Sequence, residues 1–95
     1  MTNFLAILAV TAYCATGNPA ANGKMPVKGI TCAAPRSIPL GTHLFIDGVG
    51  ERIVTDRTAR RFDGRVDLFY GTNRQAALKW GKRLRKVWIV NAAPR

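Results

Sequence analysis

Glycine, proline and asparagine interrupt this chain so often that every apolar run is short, and this punctuation restricts the fold more than any other feature. The stretch from Leu5 to Cys14 places its β-branched and aromatic residues late, in "LAVTAYC", and stops at the turn-rich "TGNPAANGK", the pattern of a strand. "VKGITCAA" predicts a second strand ended by Pro35, "SIPLGT" a turn around Pro39 and Gly41, and "HLFI" a third strand. "DGVGE" has hairpin chemistry, because Asp-Gly readily takes positive φ, and "RIVTD" is the returning strand. After a break from Arg57 to Gly64, "RVDLFY" resumes the alternation; "KVWIV" is the last strand and "NAAPR" a tail. Thr72 and Gln75 form a capping-box pattern ahead of Ala76, Ala77, Leu78 and Trp80, with Gly81 as a stop, which predicts one helix of about two turns. Six strands and one helix in 95 residues predict a single, mainly β domain built as a small barrel.

The start, "MTNFLAILAV", has no Lys or Arg before its apolar run, which is far short of the roughly 20 residues of a membrane helix. Cleavage after Ala12 would remove the first strand, so this stretch reads as structure and no signal peptide is visible. Fifteen Lys and Arg against five acids give a net charge of +10, which attracts polyanions: nucleic acid, acidic membranes or anionic wall polymers. Cys14 and Cys32 lack a CxxC spacing or a nearby His, so a metal site is not indicated, while a disulfide and two free thiols stay equally open.

The acids concentrate in "TDRTARRFDGRVDLFYG", where Asp56 and Asp67 belong to two predicted strands. Val66, Leu68 and Tyr70 share one face of the later strand, so Asp67 points away from the core with Arg65 and Phe69. Carboxylates break glycosidic bonds by protonating the leaving oxygen, which requires a pKa near neutrality; nearby arginines oppose that. By spacing alone, Asp56, Asp63 and Asp67 fit a surface salt-bridge cluster with Arg57, Arg60, Arg61 and Arg65 better than an active site. His43 has no serine or cysteine partner in a nucleophile setting and reads as structural or exposed. "KWGKRLRKVW" interleaves cations with Trp80 and Trp88, the mixture of a nucleic-acid binder, although both tryptophans also fit a core.

Taken in order, "VTAYC", "NGKMPVKGITCAAPRSIPLGTHLFI", "GVGERIVTDRTARRFDGRVDLFYGTNRQAALKWG" and "KVWIV" resemble the 3D domain, a family named for three aspartates and related to the catalytic barrel of the lytic transglycosylase MltA. The resemblance covers about residues 8 to 90 and rests on the ordered set: a Thr-Ala-Tyr strand, an Ile-Pro-Leu-Gly-Thr turn, a glycine hairpin, and two aspartates eleven positions apart. It implies a six-stranded double-psi β-barrel and an enzyme that cleaves the MurNAc-GlcNAc bond of peptidoglycan, leaving a 1,6-anhydro end without a metal or other cofactor. Asp67 matches the family's acid and base, and Asp56 the aspartate that supports it; Thr11, Tyr13, Asp63 and Arg65 are the substrate-binding candidates.

The resemblance further implies paired first strands, which would bring Cys32 near Cys14 and favour a disulfide. The implied partner is the glycan strand, without membrane insertion and with nucleic acid a lesser alternative. The implied location is the cell envelope, reached from a longer start, by another export route or in a phage-related role. Two departures stand out. Ala34 occupies the place of the family's first aspartate, so the chain is also read as a non-catalytic wall-binding barrel, and the glycine-rich segment after the second aspartate is here "RTARRFDG". Asp63 is the candidate replacement for the missing acid.

Overall fold

The turn signals divide the chain into six strands, one 3-10 turn and one helix. In the computed structural model, which describes residues 2–90, these are β1 (Thr2–Tyr13), β2 (Thr31–Ala34), β3 (His43–Ile46), β4 (Gly50–Arg57), a 3-10 turn (Arg60–Phe62), β5 (Arg65–Phe69), α1 (Arg74–Trp80) and β6 (Arg83–Val90). The tail expected in "NAAPR" lies outside the described residues. β2 is shorter than its predicted "VKGITCAA", because Ile30 and Thr31 both donate their backbone N–H to Val27 and close a turn there.

The strands form a closed barrel in the order β1-β5-β2-β4-β3-β6, the expected small six-stranded double-psi barrel with a single short helix. Closure leaves no strand edge exposed for pairing with another chain. β1/β5 and β2/β4 run parallel, and the remaining neighbours antiparallel. Only the hairpin β3-β4 joins sequence neighbours through a tight turn: Val49 N–H bonds the Ile46 carbonyl at 2.9 Å, and Gly48 supplies φ +76°. A side chain at that φ would be strained, which is why "DGVG" carries a glycine there.

Alternation fills the interior with Val10, Leu44, Ile46, Val54, Val66 and Val87, each fully buried, and with Leu68 and Cys32. Full burial of a Val, Leu or Ile side chain is worth about 1.5–3 kcal/mol, so this set supplies the main drive to close the barrel. Helix α1, at seven residues, is too short to persist alone. It is held by Trp80, whose indole N–H donates to the Val10 carbonyl at 2.9 Å. Its N-cap is Asn73, one residue after the predicted Thr72; the Asn73 side chain accepts from Ala76 N at 3.0 Å, while Thr72 turns to line a cleft. The predicted stop is correct: Gly81 takes φ +65° and its N–H bonds the Ala77 carbonyl.

Both cysteines are free, so the disulfide favoured by the resemblance is not formed. Cys32 points into the core among Val54 and Leu68, while Cys14 sits half-buried on the cleft wall. Burial pushes the Cys32 thiol up to about 12, slightly offset by Arg52. A group bound more tightly to its proton in the folded state contributes stability that is full below its unfolded pKa and is lost as pH rises through the folded value. Stability should therefore fall between pH 9 and about 12, and Cys32→Ala should make that decline shallower at some cost in overall stability; thermal melts across this range check it.

Candidate active site

The four residues of β2 bring the two aspartates together. Ala33 is the register partner of Asp67 on β5 on one side and of Asp56 on β4 on the other. Directly paired residues share a face of the sheet, so both carboxylates and the Ala33 methyl lie on one face, the aspartate Cα atoms about 10 Å apart across two strand spacings. A small side chain between them leaves room, and a cleft of about 440 Å³ opens there. Asp56, Asp67, Tyr13 and Phe69 line it together with the loop after β1 and the segment Arg57–Ala59.

The two carboxylates are held differently. Asp56 accepts three hydrogen bonds: Oδ2 from the Tyr13 hydroxyl at 3.1 Å, and Oδ1 from Ala21 N at 3.1 Å and Arg57 N at 2.9 Å. It thereby fastens the loop between β1 and β2 over the cleft, with Asn22 N bonding the Thr55 carbonyl alongside. Asp67 accepts one hydrogen bond, from the Thr11 hydroxyl to Oδ1; its second oxygen has no protein partner among the described residues. Thr11 is its register partner on the parallel strand β1. Tyr13 stays protonated well beyond the usual tyrosine range, because it is buried and because Asp56 beside it repels a phenolate and accepts its hydrogen bond. It is therefore a constant donor to Asp56.

The salt-bridge cluster expected from spacing is absent: among the described residues the one contact between basic and acidic side chains is His43 Nδ1 to Glu51 Oε2, at 2.8 Å on the surface. Arg57, next to Asp56, directs its guanidinium to the carbonyls of Pro35 and Ile38, at 2.9 and 2.5 Å. Arg65 and Arg61 lie over the ring of Phe62, 4.0 and 4.8 Å from its centroid. These cations sit around the cleft without neutralising its acids.

Of the substrate-binding candidates, Thr11 and Tyr13 each bond one of the aspartates, and Arg65 approaches the cleft through Phe62, which lines it. Asp63 is elsewhere, in a shallow depression with Arg36, Ser37 and Arg60, so it does not stand in for the missing third acid. Ala34, at the place of that acid, is fully buried in the core cluster. Trp80 is engaged with Val10 and stacked by Arg83 at 4.2 Å, and Trp88 packs edge-on to Phe4 and tilted against Phe45. Sequence reasoning missed Ala33 and Thr58; an alanine beside Ala34 and a threonine among arginines carry no pattern to mark them.

The 3D domain matches residues 30–91, well over half of the chain. No curated protein sequence matches it. Among solved structures, the fold is similar to the crystal structure of MltA from Escherichia coli, described as a lytic transglycosylase fold, with TM-score 0.64 and 22% identity over 79% of this chain. A single-residue variant of the same E. coli lytic transglycosylase in an apo form gives TM-score 0.65 and 21% identity over 79% of this chain and 27% of that one. The chain spans about 28% of the length of the MltA structure. No helix among the described residues is long and apolar enough to cross a membrane.

The triple hydrogen bonding of Asp56 predicts a structural effect. Asp56→Ala should release the loop between β1 and β2, with hydrogen-exchange protection lost at Ala21 and Arg57, and should lower the Tyr13 pKa while leaving its burial contribution. Residue-resolved exchange and tyrosine titration by NMR check both.

Proposed function

The chain belongs to the 3D domain family, and on that premise we propose that it is a lytic transglycosylase acting on peptidoglycan glycan strands in the cell envelope. The observation that carries the reading is the asymmetry of the carboxylates. Asp56 has both oxygens engaged by three hydrogen bonds, whereas Asp67 lines the same cleft with one oxygen uncommitted and no arginine ion-paired to it. Asp67 is thus the group able to exchange a proton with a ligand.

In the proposed reaction, protonated Asp67 gives its proton to the oxygen linking MurNAc to GlcNAc, and the C1–O bond breaks. The carboxylate left behind takes the proton of the MurNAc 6-hydroxyl as O6 attacks C1, which closes the 1,6-anhydro ring and restores the acid. The nucleophile comes from the sugar, so one proton-transferring carboxylate suffices, unlike the two-carboxylate hydrolytic scheme. Thr11 orients Asp67 through Oδ1. Asp56, fixed by Tyr13, positions the loop that walls the cleft. The arginines beyond the Phe62 wall offer partners for carboxylates of the peptide stems.

A second reading, a wall-binding barrel that no longer cuts, is favoured by the buried methyl of Ala34 where the family carries a carboxylate. Incubation with purified peptidoglycan separates the two. The enzyme reading expects anhydro-muropeptides by mass spectrometry, reduced by about 100-fold or more in Asp67→Asn, the scale of losing a general acid–base. Asn can still accept the Thr11 hydrogen bond, so the melting temperature should hold. Wall binding without any anhydro product from the unmodified protein would decide for the binder.

A further inference from the structure

Thr58 follows the last residue of β4 and lies on the wall of the aspartate cleft, two positions beyond Asp56. It is 5% exposed, and its hydroxyl is buried without a hydrogen-bond partner among the described residues. Buried hydroxyls are almost always satisfied, since removing one from water without a partner is costly. The backbone there is already committed, with the Thr58 N–H donating to the Ala34 carbonyl at 3.3 Å. Of the residues that line the cleft with it, Ala33, Ala59 and Phe62 are apolar, and Asp56 already accepts three hydrogen bonds.

One χ1 step of about 120° carries the threonine hydroxyl to the position its methyl held, with the methyl moving to that of the Cβ hydrogen and the backbone unmoved. The hydroxyl can therefore turn to whatever fills the cleft. The resemblance expects a glycine-rich segment here, and glycine has no such group, so this donor is a property of this chain. The second oxygen of Asp67 and the Thr58 hydroxyl are both without a hydrogen-bond partner among the described residues.

We infer that Thr58 is a substrate-positioning residue whose hydroxyl hydrogen-bonds a hydroxyl or acetamido oxygen of the glycan strand in the aspartate cleft. The inference rests on the proposed reading of that cleft as a peptidoglycan site, and its test keeps the two apart. Binding to insoluble peptidoglycan is measured in the Asp67→Asn background, where the ligand is not consumed, with Thr58→Val, Thr58→Ser or no further change. Thr58→Val should weaken binding by about 10-fold, the scale of one neutral hydrogen bond, while melting at the same temperature or higher, because it removes an unsatisfied polar atom. Thr58→Ser should bind nearly as the parent does. Unchanged binding by Thr58→Val, or a lowered melting temperature for it, overturns the assignment and leaves the glycan reading standing. Absence of binding by the Asp67→Asn parent and by the unmodified protein overturns the glycan reading, and this assignment with it.

Discussion

The pairing of β2 on both its edges is the constraint from which the rest of the molecule follows. Thr31–Ala34 are all buried, with β4 parallel on one side and β5 antiparallel on the other. Without this short strand the barrel would open, and the cleft would lose its floor. Because Ala33 is the register partner of Asp56 and of Asp67 at once, the same backbone hydrogen bonds that close the barrel also set the spacing of the carboxylates. A register slip of one residue would turn one aspartate into the core and a core valine or leucine outward, which burial forbids. The site is held by the fold's own hydrophobic economy.

Electrostatics then divides the two acids. A chain of net charge +10 would be expected to neutralise its carboxylates with arginines, and here it does not. Arg57 is drawn off by two backbone carbonyls, and Arg61 and Arg65 by an aromatic ring. Asp56 is stabilised by neutral donors, one of them a tyrosine that burial keeps protonated. Asp67 retains a free oxygen. The positive charge is left around the rim, where it attracts anions without quenching the acid inside.

Much of the fold was legible along the chain. β3, "HLFI", was placed at its observed bounds, the Asp-Gly hairpin and the Gly81 stop were correct, and the outward direction of Asp67 followed from the alternation of Val66 and Leu68. Local rules decided these, because turn chemistry and period-two patterning act over a few residues. The errors arose where several local solutions were open. Thr72 and Asn73 are both good caps, and packing of Trp80 against Val10 accompanies the choice of the second. Cys14 and Cys32 were to meet across paired first strands, but β5 lies between β1 and β2, and Cys32 is buried in the core. Asp63 is the candidate replacement for the missing acid, but it follows the turn at Arg60–Phe62 and lies in a separate depression.

The sequence by itself determined the number and order of elements, the β-rich class and, through the ordered motifs, the 3D family, since these depend on residue type and short spacing. Only the tertiary structure decided which strands are neighbours, and with it that Ala33 separates the two aspartates, that the arginines are occupied elsewhere, and that the Thr58 hydroxyl is unpartnered. Parallel pairing and barrel closure join residues far apart in the chain, and no local preference encodes which distant strand a given strand will meet.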